Sequence, residues 1–184
     1  MSELLRRRPT DERLKQVYDR AEAEVERRWS VPVRISDVPA PFTGDLDGAE
    51  IAIDYENDVE GAVFLLVHLF GHTVQWNVRP DARDLATRAQ QNPSQETLAA
   101  LEDYEREACE YSLRLLHDCG VRDLDQWVAD YARCDFAYLR HFYATREKAP
   151  FLGFWRDGTP LLQPREIPPF QPQRWKSRWD GIVV

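Results

Sequence analysis

Residues 64–76 read FLLVHLFGHTVQW, a stretch that decides the fold because it is apolar on nearly every side and contains two histidines. A helix that is hydrophobic all round lies in the centre of a protein rather than on its surface. His68 and His72 are four residues apart, so a helix places both imidazoles on one face, one turn apart. Buried imidazoles need polar partners. The stretch therefore predicts a central helix that presents two candidate metal ligands.

Capping residues and hydrophobic periodicity predict the other elements around this helix. We expect short strands at about residues 30–36 and 49–55, a loop at 39–48 and a hairpin turn at Asp157-Gly158. The expected helices span about residues 11–29, 59–77, 94–119 and 123–146, and the second is expected to end before Pro80. Their expected N-caps are, in order, Thr10 or Asp11, Asn57-Asp58, Ser94 and Asp123. The predicted fold class is therefore α+β, mostly helical, with a small sheet packed over the histidine helix.

A third ligand is predicted from the 94–119 helix, because a metal site with two histidines needs another protein donor. Glu105 lies in the middle of the apolar stripe of that helix, where an unpaired carboxylate would be costly. The stripe repeats at spacings of three and four residues and comprises Leu98, Leu101, Glu105, Ala108, Ser112 and Leu115. A metal held by His68 and His72 would compensate the Glu105 charge.

These motifs resemble those of the zincin metallopeptidases of the ImmA/IrrE type, whose metal helix reads His-Glu-Leu-Gly-His. Residues 105–109, read EREAC, are similar to the Glu-x-Glu-Ala-Asn-like motif of that family, and the likeness covers roughly residues 30–120. The resemblance implies a zincin-like fold with His68, His72 and Glu105 as ligands of Zn²⁺. It also implies that the strand around residues 51–55 is the edge strand, which holds an extended peptide.

Two residues depart from the family pattern. Leu69 stands where the family has its general-base Glu, and Cys109 stands where Asn or Asp is usual. Without that base we expect weak, non-standard or lost peptidase activity, because a positioned base contributes about 10²–10⁴-fold. Glu107 and Tyr138 are the candidates for a substitute catalytic group.

Other interpretations of the same residues stay open at this point. Two histidines and a carboxylate are also the triad of non-haem iron enzymes, with Fe²⁺ as the cofactor. A buried His pair can instead be satisfied by backbone carbonyls, which would leave a non-catalytic protein-interaction module. His117 is expected to interact with a helix C-terminus, and His141 to lie in an aromatic helical face.

Composition limits the classes of partner and compartment. The formal net charge of −8 argues against nucleic acid, and the basic patches at residues 6–8 and 174–178 are expected to be solvated termini. Three cysteines without CxxC spacing predict reduced thiols and a cytoplasmic location. No apolar stretch is long enough to predict a membrane span.

The last part of the chain has a different composition. We expect residues 1–149 to form the zincin-like domain and residues 150–184 to be a Pro- and Trp-rich extension packed on it, with extended chain at 163–172. The preferred interpretation is that Phe151, Phe154, Trp155 and Phe170 of this extension are buried against the body. The alternative is that the extension plugs the cleft or docks a peptide or protein partner. The sequence does not specify an oligomeric state.

Overall fold

The computed structural model describes residues 6–39, 42–89 and 93–175. It is a mixed α+β structure, 58% helical, with one three-stranded sheet among the described residues. This confirms the predicted fold class at the level of α+β. In chain order the elements are α1 (Asp11–Trp29), β1 (Val33–Ser36), β2 (Gly44–Leu46), β3 (Ile51–Asp54), α2 (Val59–Val78), α3 (Pro80–Ala89), α4 (Gln95–Asp118), α5 (Asp125–Thr145) and a 3₁₀ helix (Phe151–Phe154).

The sheet has the strand order β1–β3–β2, with β1 parallel and β2 antiparallel to β3. The expectation that the strand at residues 51–55 lies at the edge is wrong, because β3 is central and β1 and β2 are the two edge strands. The loop predicted at residues 39–48 contains β2, whose three residues are too few to show an alternating pattern. All of β2 is buried, because it pairs with β3 and covers α2.

The central helix α2 forms as predicted, one residue longer at its end. The Asp58 carboxylate accepts a hydrogen bond from the Gly61 backbone N–H at 2.7 Å and so caps the first turn. Every residue from Val63 to Trp76 is buried, in agreement with a helix that is apolar all round. The sheet, α1 and α4 all pack against α2.

Helix α3 is absent from the sequence prediction. Pro80 was expected only to follow the end of α2, whereas it is the first residue of α3, a position that tolerates its missing N–H. The predicted Ser94 cap of α4 is confirmed, because the Thr97 backbone N–H donates a hydrogen bond to the Ser94 hydroxyl at 3.1 Å. Asp123 does not cap α5, because Arg13 holds its carboxylate with two hydrogen bonds.

The extension after α5 packs on the core. Trp155 and Ile167 are buried members of the core, and Phe151, Phe154 and Phe170 pack against it, as expected. No hairpin forms at Asp157-Gly158, because residues 151–154 are a 3₁₀ helix and Asp157 accepts a bond from the Trp155 indole at 2.9 Å. In the described part of the chain, no helix combines the length and apolar character needed to cross a bilayer.

The N-terminal basic patch is partly bound rather than solvated. Arg6 donates two hydrogen bonds to Glu60 at 2.6 and 2.7 Å, and Arg8 donates a third at 2.8 Å. The Trp127 indole N–H donates to the same carboxylate at 2.8 Å. In the C-terminal patch Arg174 pairs with Asp47 at 2.6 Å, while residues 176–184 lie outside the described residues.

We predict that Glu60→Gln lowers the free energy of unfolding at neutral pH by about 2–3 kcal/mol, since it removes the charge that two guanidinium groups bind. Burial opposes ionisation of Glu60, but the bonds from Arg6, Trp127 and Arg8 outweigh it, so the pKa of this carboxyl is lowered in the folded state. The stabilisation is therefore present above the unfolded-state pKa and is lost as the pH falls through the folded-state pKa.

Urea denaturation of both proteins at a series of pH values measures this effect. The difference between wild type and Glu60→Gln should be largest near neutral pH and shrink once the pH falls below about 4. The exposed Glu12→Gln serves as the control and should show little difference at any pH. A pH-independent gap between wild type and Glu60→Gln would contradict the electrostatic explanation.

Candidate metal centre

The three residues predicted as metal ligands meet in the core between α2 and α4. His68 Nε2 lies 3.1 Å from His72 Nε2, and each of these atoms lies 3.0 Å from Glu105 Oε2. Both imidazoles are completely buried and Glu105 is 3% exposed. In the described part of the chain, His68, His72 and Glu105 form the one group of His, Cys, Asp or Glu side chains that lie close enough together to hold a metal ion.

A close approach of α2 and α4 brings the ligands together. A Cβ atom on Gly71 would overlap the backbone carbonyl of Ala108, so the two helix backbones touch one residue before His72. The Ser112 hydroxyl donates to the Val67 carbonyl at 2.8 Å and fixes the same contact one turn further along α4. Only glycine fits at position 71 at this separation.

Hydrogen bonds determine which nitrogen of His72 is protonated. The Gln75 amide donates to the Tyr104 carbonyl at 2.9 Å and to Glu107 at 2.7 Å, and these two acceptors fix its orientation. Gln75 Oε1 therefore faces His72 Nδ1 at 2.8 Å and accepts its proton. In the neutral ring, Nε2 then presents a lone pair to Glu105. This is the tautomer that a metal ligand requires.

The cluster combines one buried carboxylate with two buried imidazoles, and its charge depends on the ring protons. Burial opposes ionisation of Glu105, but His72 and His68 outweigh it and lower its pKa to about 2. Burial and the neighbouring His72 lower the pKa of His68, which favours the neutral ring. The lowered pKa of Glu105 requires imidazoles that direct ring protons or positive charge at its carboxylate. Where the His72–Gln75 bond leaves a lone pair on His72 Nε2 instead, a cation between the rings and the carboxylate supplies that stabilisation.

The dimensions of the cluster suit a small transition metal. Zinc bonds of 2.0–2.1 Å in tetrahedral geometry place ligand atoms about 3.3 Å apart. The three separations in the cluster are 3.0–3.1 Å. Two nitrogen donors and one carboxylate are also a common donor set for zinc. The residues present therefore fit the ion.

Cys109 contacts the outer nitrogen of His68. Its Sγ lies 3.3 Å from His68 Nδ1, and burial raises the pKa of the thiol well above its usual range, so the sulfur stays neutral. Metal-bound histidines generally bond a second group through their other ring nitrogen. Cys109, which departs from the family motif, occupies that position here.

Asp135 on α5 is a residue of this region that sequence reasoning missed. Its Oδ2 lies 4.0 Å from His68 Nε2 and has no hydrogen-bond partner. Burial, with a contribution from Glu105, raises the pKa of Asp135 well above its usual range. The ligand atoms of His68, His72 and Glu105 all lie within 4.8 Å of one another, and Asp135 is not part of this group. Asp135 therefore lies beside the cluster rather than in it.

The proposed substitute catalytic groups lie elsewhere. Glu107 is buried, but it binds Gln75, Arg79 and Arg165 on the far side of His72. It therefore orients Gln75 rather than facing the Nε2 atoms. Tyr138 lines a cavity that also borders Asp135.

The remaining histidines do not join the cluster. His117 bonds Asp125 at 2.9 Å, near the start of α5. His117 also lies in the last turn of α4, which is the helix C-terminus where we expected it. His141 contacts Thr145 and the Phe154 ring, in agreement with an aromatic helical face.

Leu69 has no access to a reacting group. It is completely buried, and its Cδ1 would lie 2.9 Å from a Cβ placed on Gly44 of β2. This side chain packs between α2 and the sheet. A base is therefore missing from the position where the resembling family has one.

Comparison of the chain with protein-family models, with curated proteins and with solved structures gave no match. The resemblance to the ImmA/IrrE type therefore stays a prediction that depends on the short motifs around His68, His72 and Glu105. The geometry of the cluster is an observation independent of that resemblance.

We predict that Gly71→Ala lowers the free energy of unfolding by at least about 3 kcal/mol, because the new methyl group forces α2 and α4 apart. The same separation should weaken metal binding. Thermal unfolding and zinc titration measure the two effects, with Gly153→Ala, where a Cβ meets no atom, as the matched control. Equal stability of Gly71→Ala and the control would contradict the close approach.

We predict that Gln75→Leu weakens zinc binding by about 10–100-fold, because His72 Nδ1 loses the acceptor that fixes its tautomer. Competition with a chelator of known affinity gives the dissociation constant. Gln126→Leu removes an equally bonded amide on α5, away from the cluster, and is the control. Unchanged zinc affinity in folded Gln75→Leu would show that Gln75 does not position His72.

Proposed function

We propose that this chain is a zincin-like metal-binding protein, related to the ImmA/IrrE metallopeptidases, with weak, non-standard or lost peptidase activity. In this proposal His68, His72 and Glu105 hold one Zn²⁺. The observation that supports it most directly is the convergence of three acceptor atoms within 3.1 Å in the core. If both rings are neutral and His72 Nδ1 donates to Gln75, His72 Nε2 carries no proton. Its contact with Glu105 Oε2 then has no ring donor unless an imidazole is charged.

Zinc, when bound, polarises a water molecule and lowers its pKa to about 7. The chain contributes the orientation of its ligands. Gln75 holds His72 in the ligating tautomer, and Cys109 contacts His68 from behind. Phe64 stacks on the His68 ring at 5.2 Å and restricts water on that side.

Weak or lost peptidase activity is supported by the surroundings of the cluster. Leu69 is packed under β2, and Glu107 is bound by two arginines, so neither provides a base next to the Nε2 atoms. The C-terminal part of the chain also pairs with the residue that follows the edge strand β2. The Trp175 N–H donates to the Asp47 carbonyl at 2.8 Å, where an added peptide strand would continue.

An iron enzyme is the second candidate. Two imidazoles and one carboxylate are the donor set of non-haem iron sites, and a largely apolar cavity borders Asp135 beside the cluster. Such a cavity suits a small substrate better than an extended peptide. The identity of the bound metal separates this function from the first.

The experiment that tests the proposal is elemental analysis of protein purified without chelators. We expect about one equivalent of zinc per chain, a higher unfolding temperature than after chelation, and loss of both in His72→Ala. His141→Ala is the control and should retain the metal. Absence of metal even after zinc is added back would contradict the proposal, and iron with oxygen consumption would favour the second candidate.

A further inference from the structure

Asp135 is a buried acid on α5 whose position the set of three metal ligands does not explain. Its side chain is 9% exposed, and its Oδ2 atom is shielded from solvent and makes no hydrogen bond. In the described part of the chain, its one ion-pair contact is with His68, whose Nε2 lies 4.0 Å from Asp135 Oδ2. The unpartnered oxygen therefore lies toward the nitrogen that is proposed to bind the metal ion.

Aromatic rings cover both imidazoles of the cluster. The Phe64 ring stacks on His68 with 5.2 Å between ring centroids, and the Tyr104 ring stacks on His72 at 4.5 Å. Asp135 belongs to a third helix, α5, which packs on α4. A metal ion in this position is surrounded by protein groups. Structural zinc sites have four protein ligands, whereas catalytic sites have three and keep one position open.

The charge of the site favours a second carboxylate. With neutral imidazoles, a divalent ion and the ionised Glu105 carboxylate leave one net positive charge in the core. A net charge away from water is costly unless it is paired. An ionised Asp135 brings the sum to zero, whereas a neutral water molecule in the same position leaves it unchanged.

The carboxyl group of Asp135 changes its state when a cation binds. Burial, with a contribution from Glu105, raises its pKa well above the usual range, so without a cation the group is neutral. A divalent cation acts in the opposite direction and favours the ionised form of any carboxyl group that coordinates it. The proton of Asp135 then passes to solvent, as is general for groups that become metal ligands.

We propose that Asp135 is the fourth protein ligand of the metal ion, which makes the site closed and its role structural. Tetrahedral zinc places ligand atoms about 3.3 Å apart, so Asp135 Oδ2 is less than about 1 Å too far from His68 Nε2. Asp135 also lines the cavity beside α5, which gives its side chain room to turn. The inference rests on the proposed metal-binding function and narrows it, because a closed site leaves no position for a reacting water.

Cobalt in place of zinc reports whether a coordination position is open. The full chain loaded with Co²⁺ should show the strong visible absorption of a tetrahedral site, and added azide should leave that spectrum unchanged. Asp135→Ala opens the fourth position, so its cobalt spectrum should respond to azide. Its zinc affinity should fall by about 100-fold or more, since even a group that only orients a ligand contributes about 10–100-fold. Asp125→Ala, on the same helix but away from the cluster, is the control.

Thermal unfolding separates metal ligation from ordinary packing. Asp135→Leu removes an oxygen that has no partner in the metal-free protein, so its unfolding temperature after chelation should not fall below that of wild type. The rise in unfolding temperature that zinc produces in wild type should be largely lost in this variant. A residue needed only for packing would lower the unfolding temperature equally with and without zinc. Circular dichroism establishes that each variant is folded.

The outcomes distinguish this inference from the metal proposal. Zinc uptake that is lost in His72→Ala but unchanged in folded Asp135→Ala would overturn the fourth ligand and leave the metal proposal standing. A wild-type cobalt spectrum that shifts with azide would do the same. Absence of metal from wild type, even after zinc or cobalt is added back, would overturn both. Azide-insensitive cobalt in wild type, with weakened zinc binding in Asp135→Ala and not in Asp125→Ala, would support both.

Discussion

The contact between the backbones of α2 and α4 at Gly71 and Ala108 is the constraint on which the rest of the structure depends. Because no side chain separates the helices there, His72 and Glu105 meet directly in the core. The cost of bringing these polar groups out of water is met by burying nearly the whole of α2 under the sheet, α1 and α4. The apolar character of α2 and the polar cluster are thus two parts of one arrangement.

The sequence predicts those elements whose signals are local. Thr10, Asp58 and Ser94 each cap a helix with their own side chain, and each helix starts where that rule places it. Strand β2 has no such signal, since three residues containing Gly44 and Asp45 become a strand only by pairing with β3. Helix α3 is polar, and a proline marks both the end of one helix and the start of the next.

The residues of the candidate site also differ in whether the sequence alone could identify them. The i,i+4 spacing and the apolar stripe were enough to predict that His68, His72 and Glu105 would meet. Asp135 interrupts an apolar stripe of α5 in the same way, at spacings of four, three and four through Val128, Ala132, Asp135 and Leu139, and this signal was missed. Gln75 had no signal of its own, because its role depends on Tyr104 and Glu107 from another helix.

The acidic groups near the cluster differ in how they are compensated, and this difference separates their roles. Glu107 has two arginines and an amide, and it is a fixed part of the framework. Glu105 has two imidazoles, which compensate a carboxylate fully only when they are charged or bind a cation. Asp135 has neither, and it borders the cavity. A buried carboxyl group without a partner is destabilising. Burial raises the pKa of Asp135 and favours its neutral form, so the fold retains a buried carboxyl group with an unpartnered Oδ2 beside a cluster suited to a metal ion.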